Sequence, residues 1–204
     1  MTNEEVLRRL PELSGLLKEL DLEVDPKAQA MAAKLEGNIG QVDVFGYDGG
    51  HNYFGLWRKD GCSVNDAPVV FADCHGGDEA CTLAGSLEEF LSICLCVPTE
   101  DGASAARWVD TVNNVRELPS GLAANYMAPG IGDDEALQEA VEKDPTPEAA
   151  LQRLFRHLRA KDEGAEDRAA RLDAAFSPLG IRPAATPYAL VETARAKHGH
   201  FRLY

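Results

Sequence analysis

The chain has 204 residues, 45% hydrophobic and 26% charged, an ordinary composition for a globular protein able to bury a sizeable core. Its formal net charge is −14, and the excess is uneven: residues 1–100 carry 18 Asp/Glu against 7 Lys/Arg, and residues 101–204 carry 16 against 13. Such a chain repels nucleic-acid phosphate and anionic lipid and attracts a basic protein. Its apolar runs are too short to cross a bilayer, and the acidic start, Met1 to Glu5, does not read as a secretory signal, so cytoplasmic residence is expected. Five cysteines are then expected as reduced thiols, several of them buried.

In chain order, Thr2 to Leu20 has the leucine spacing of a helix, with Thr2 and Glu5 as a capping box and Pro11 as a point where it kinks or restarts. Asp25-Pro26 opens a second helix through Leu35, which Gly37 stops. Gln41 to Phe45 alternates as a strand. The corner Gly46-Tyr47-Asp48-Gly49-Gly50 leads to an aromatic strand, Asn52 to Arg58. Lys59-Asp60-Gly61 is a turn, because Asp and Gly tolerate the left-handed backbone. Ala67 to Asp73 is a strand whose Val69-Val70-Phe71-Ala72 block predicts burial on both faces. The polar turn His75 to Glu79 precedes a short strand, Ala80 to Ala84. Ser86 and Glu89 then cap a helix with apolar Leu87, Phe90, Leu91, Cys94 and Leu95 on one face.

The residues Phe45-Gly46-Tyr47-Asp48-Gly49-Gly50, Leu56-Trp57, Ala67 to Phe71 and Leu83 to Leu91 resemble the core of the SUKH superfamily, the bacterial immunity proteins and fungal regulators of the Smi/Knr type. The likeness covers about a quarter of the chain. It implies a single SUKH-like domain over residues 1–204, with a core at 1–97 and a helical extension at 133–204. It also implies a bacterial, non-catalytic protein that neutralises a cognate toxin, often a basic nuclease, by direct binding. A regulatory scaffold for a host protein and a small hydrolase or thiol enzyme stay open as alternatives.

Beyond the central stretch, Pro98 to Gly102 reads as a loop, and Arg107 to Leu118 is ambiguous between strand and helix. Pro119 to Gly132, rich in Gly and Pro, reads as a crossing loop. Helices follow at Asp133 to Lys143, from Thr146-Pro147 with the stripe Leu151, Leu154, Phe155 and Leu158, at Glu166 to Phe176, and at Tyr188 to Lys197. The fold class is α+β: a mostly antiparallel sheet over about residues 41–85, packed by helices on one side, with a helical C-terminal half.

The chemistry-bearing residues form no specific constellation. Cys62, Cys74, His75, Cys81, Cys94 and Cys96 include no Cys-x-x-Cys pair, so no metal or other cofactor is expected. The nucleophile candidates Cys62, Cys74 and Ser86, with His51 or His75 as base, lack an elbow motif. The Gly-rich turns do not open a phosphate-binding helix. What remains is a surface: acidic turns carrying Asp48, Asp60, Asp66, Asp78 and Glu79, with His51, beside Tyr47 and Trp57. Acid to steer and aromatic to anchor is how an interface for a basic protein is built, so these eight residues are the predicted partner-binding set.

Overall fold

The computed structural model describes residues 1–25, 27–32, 37–50, 52–73, 80–117 and 134–204. Of the expectations above, those on Pro26, Leu35, His51, Cys74, His75, Asp78, Glu79 and the crossing loop 119–132 lie outside the described residues.

The helices are α1 (Asn3–Lys18), α2 (Ala28–Ala32), α3 (Leu87–Cys94), α4 (Trp108–Glu117), α5 (Asp134–Lys143), α6 (Pro147–Lys161), α7 (Ala165–Phe176) and α8 (Pro187–His198). The strands are β1 (Glu23–Val24), β2 (Val42–Tyr47), β3 (Tyr53–Trp57), β4 (Val69–Ala72) and β5 (Ala80–Ala84). They form one antiparallel meander in the order β1-β2-β3-β4-β5. The α+β class and the helical second half are as the sequence indicates.

Several local expectations hold and several need correction. Thr2 and Glu5 make the expected reciprocal cap. Ser86 accepts from the Glu89 N–H, but the Glu89 carboxylate reaches back to the Gly85 N–H (2.9 Å), one residue beyond the usual partner. Pro11 does not interrupt α1; the helix runs through it, forgoing one backbone hydrogen bond on an exposed side. Of the ambiguous segment 107–118, residues 108–117 form the helix α4, with Val109, Val112 and Val115 buried on one side, and Leu118 lies outside the described residues. The sheet also begins earlier than expected, because β1 pairs Glu23 with Tyr47 and Val24 with Gly46. A two-residue strand has no alternation to betray it.

The sheet is covered on both faces, where packing on one side was expected. Phe54 and Leu56 of β3 and Val69 and Phe71 of β4 point to the main core, and Phe90 of α3 stacks there 5.5 Å from the Phe54 ring. That cluster draws residues from α1, α3, α4, α5, α6, α7 and α8, so both halves of the chain share it. Tyr53, Trp57, Val70 and Ala72 point to the second face, where Ala28 of α2, Ile39, Phe201 and Leu203 cover them. The expected burial of 69–72 on both sides is therefore observed. Gly55 sits where a Cβ would lie 2.3 Å from Val42 of the neighbouring strand, so only glycine lets β2 and β3 close up there.

Residues 199–204 are tied down as a strap on that second face. Thr82 donates to the Gly199 carbonyl (2.8 Å) and accepts from the Phe201 N–H (3.1 Å). Asn38 donates its backbone N–H to the Leu203 carbonyl and its side-chain amide to the Arg202 carbonyl. Gly37 (φ 80°) allows this approach, since a Cβ would meet the Leu203 carbonyl at 2.2 Å. Buried Arg195 of α8 holds the strap's root: its guanidinium grips Asp110 of α4 through two hydrogen bonds (2.5 and 2.8 Å) and donates to the Thr82 carbonyl (3.0 Å).

Candidate protein-binding surface

β3 divides the described members of the predicted set. Tyr47 pairs with Tyr53 at one end of the β2–β3 ladder, and Val42 pairs with Trp57 at the other. Five residues of strand separate the two ends by about 13 Å. Tyr47 and Asp48 thus belong to one surface, and Trp57, Asp60 and Asp66 to another.

At the first end, the backbone turns after α1 through Asp21, which adopts the left-handed conformation (φ 58°). Its carboxylate accepts the Gly49 N–H (2.9 Å), joining the α1–β1 turn to the β2–β3 corner. Asp48 is the correction here. It is buried at 4% exposure and spends its carboxylate on the Asn52 N–H (2.9 Å) and Asn52 side-chain amide (3.0 Å), shaping the corner. Half-buried Tyr47 donates its hydroxyl to Glu23 (3.3 Å), and Lys18 pairs with the same Glu23 at 3.2 Å. The Ala103 N–H to the Leu20 carbonyl (2.8 Å) anchors a third segment here, which carries Glu100 and Asp101.

The electrostatics follow from this crowding. Burial pushes the Asp21 carboxyl above the ordinary aspartate range; the Gly49 N–H opposes this, while Asp48, Glu100 and Glu23 add to it. Asp101 is pushed the same way by burial, then by Glu100 and Asp162. The Tyr47 hydroxyl is raised by burial, then by Glu23 and Asp25. Sequence reasoning named Tyr47 and Asp48 but missed Asp21, Glu23, Asp25 and Glu100, which lie far from them in the chain. The αL-tolerant Asp21, just after a leucine-rich helix, was the available signal.

The second end is a groove of about 350 Å³ lined by Trp57, Lys59, Asp60, Cys62, Asp66, Pro68, Lys197 and His198. Trp57 is 8% exposed, packed edge-on against Phe201 (5.2 Å) and covered by the Lys59 ammonium 5.1 Å from its ring. Asp60 is exposed in a left-handed turn (φ 55°), and exposed Asp66 accepts from Ser63 Oγ (2.5 Å). Here carboxylates and ammonium groups share one groove, so the local field is mixed. Burial, then Lys197, holds the His198 imidazole below its ordinary value, against the pull of Glu89 and Asp66.

Among the described residues, no group of three His, Cys, Asp or Glu side chains stands close enough to hold an ion. Cys62 and Cys96 are partly buried, and Cys81 and Cys94 are buried. Burial pushes Cys94 far above the ordinary thiol range and Cys96 up to about 11, which disfavours the nucleophilic thiolate. Cys62 points its thiol at the Trp57 carbonyl (3.7 Å). No described helix is long and apolar enough to cross a membrane.

No protein-family model, curated protein or solved structure matches the chain. The SUKH resemblance has only the residues quoted for it.

Proposed function

We propose that the chain is a non-catalytic protein-binding domain whose acidic end receives a basic partner, and that it neutralises a toxin by covering it, as the SUKH resemblance implies. The observation that carries this reading is the convergence of Glu23, Asp48 and Glu100 on Asp21, where burial first and then these carboxylates strengthen proton binding. Carboxylates that repel one another are relieved by an incoming Lys or Arg as well as by a proton. A basic partner therefore gains both the direct attraction and the released repulsion. Tyr47, held half-buried beside them, supplies an aromatic contact.

The test is affinity capture from the source lysate with washes of rising salt, run in parallel on the native protein and on a Glu23→Lys, Glu100→Lys variant. The expected result is a basic protein retained by the native chain, released as salt rises, and absent from the variant. The same partners on both, or none at any salt, overturns the proposal.

A further inference from the structure

The sheet has two edges, and the structure treats them differently. At β5 the edge is covered: Arg195 takes the Thr82 carbonyl, and the Thr82 hydroxyl binds the strap at Gly199 and Phe201. On the other side, the edge of β2 is shared between β1 and Gln29 of α2, whose side-chain oxygen caps the Val44 N–H (2.6 Å). What remains is β1 itself. Glu23 and Val24 pair with β2 on one side, and among the described residues no group hydrogen-bonds to the outward side of this strand. Its side chains are half-buried and so reachable. It is also the most acidic part of the sheet, with Asp21, Glu23 and Asp25 in and beside the strand.

An open edge offers backbone N–H and C=O groups to any extended chain, and charge decides which chain takes them. A second copy would bring the same carboxylates and be repelled. A basic strand would place its cations over Glu23 and Asp25 while its backbone completes the ladder. We infer that β1 is the docking edge, and that the partner adds a lysine- or arginine-bearing extended segment to it as a sixth strand. This inference rests on the acidic-surface reading above and specifies its mode.

The test uses the full chain and two fluorescent probes: the peptide acetyl-Lys-Val-Lys-Val-Lys-amide, and the same peptide N-methylated at its three central residues. Methylation keeps every charge but removes the three central backbone donors. The unmethylated peptide should bind about tenfold tighter at low salt, the worth of one or two backbone hydrogen bonds. It should also slow amide hydrogen exchange at 22–25 and leave exchange at 60–66 unchanged. Equal affinity of the two peptides overturns strand addition while leaving the acidic surface as an electrostatic binder. Absence of binding by both at low salt overturns the strand addition and the acidic-surface reading together. Slowed exchange at 60–66 instead would move the docking site to the Trp57 groove and overturn the inference.

Discussion

The two ends of β3 were assembled from similar residues, aromatic rings beside aspartates, yet they differ in kind. At the Tyr47 end Asp48, Glu100 and Glu23 crowd around Asp21 and, after burial, add to its proton affinity, with Lys18 bound to Glu23. At the Trp57 end Asp60 and Asp66 share their groove with Lys59, Lys197 and His198, and the aromatic ring is spent on packing against Phe201. The same side-chain types make a field in one place and a balanced joint in the other. What separates them is the company brought by distant segments: the α1–β1 turn and Glu100 at the first, the end of α8 at the second.

The largest effect that would break this comparison is at the joint. Phe201→Ala removes a fully buried ring that seats the strap against Trp57, and should cost about 3–5 kcal/mol in denaturant unfolding. If the ends are independent, the folded variant keeps its affinity for a basic peptide. Next in size is a pair of charge reversals. Glu23→Lys with Asp25→Lys should weaken binding of a lysine-rich peptide about tenfold at low salt, an effect fading as salt rises. Asp60→Lys with Asp66→Lys should change it by less than about twofold, because cations already stand in that groove. Equal losses from the two double variants would erase the distinction.

Smaller, and opposite in sign, is Asp21→Asn. The folded state binds the Asp21 proton more tightly than the unfolded chain does, so ionising this carboxyl costs stability as pH rises through its raised value. Asparagine tolerates the left-handed backbone and can still accept the Gly49 N–H. The variant should therefore be more stable than the native protein at neutral pH. The gain should vanish below the ordinary carboxylate range, where both states of the native chain are protonated. Thermal unfolding across pH reads it. The smallest effect is a rate: Cys62 should react with a thiol reagent before Cys96, whose thiol is held up to about 11, and before buried Cys81 and Cys94.

Much of the fold was legible because its signals are local. The capping residues Thr2 and Ser86, the aromatic strand around Phe54 and the apolar block at 69–72 each carry their own periodicity or turn chemistry. The candidate surface was only half legible. Tyr47, Asp48, Trp57, Asp60 and Asp66 are close in sequence, and nearness along the chain suggested one patch; an extended strand turns that nearness into distance. Asp21 and Glu100 belong to the acidic end through the Gly49 and Leu20 hydrogen bonds, contacts between distant segments that no window of residues records. Asp48 reads as surface acid by type, and only its two bonds to Asn52 show it to be a corner brace.

The strap over the second face sets the order in which the sheet can be finished. Thr82 waits for a partner 117 residues downstream, and Asn38 for one 164 residues away. At ribosomal speeds of about 5–20 residues per second, Thr82 waits roughly 6–23 s for Gly199 to be synthesised. During that interval Tyr53, Trp57 and Val70 line a face lacking Phe201 and Leu203. A nascent sheet in that state is a natural client for a chaperone that recognises exposed apolar strands.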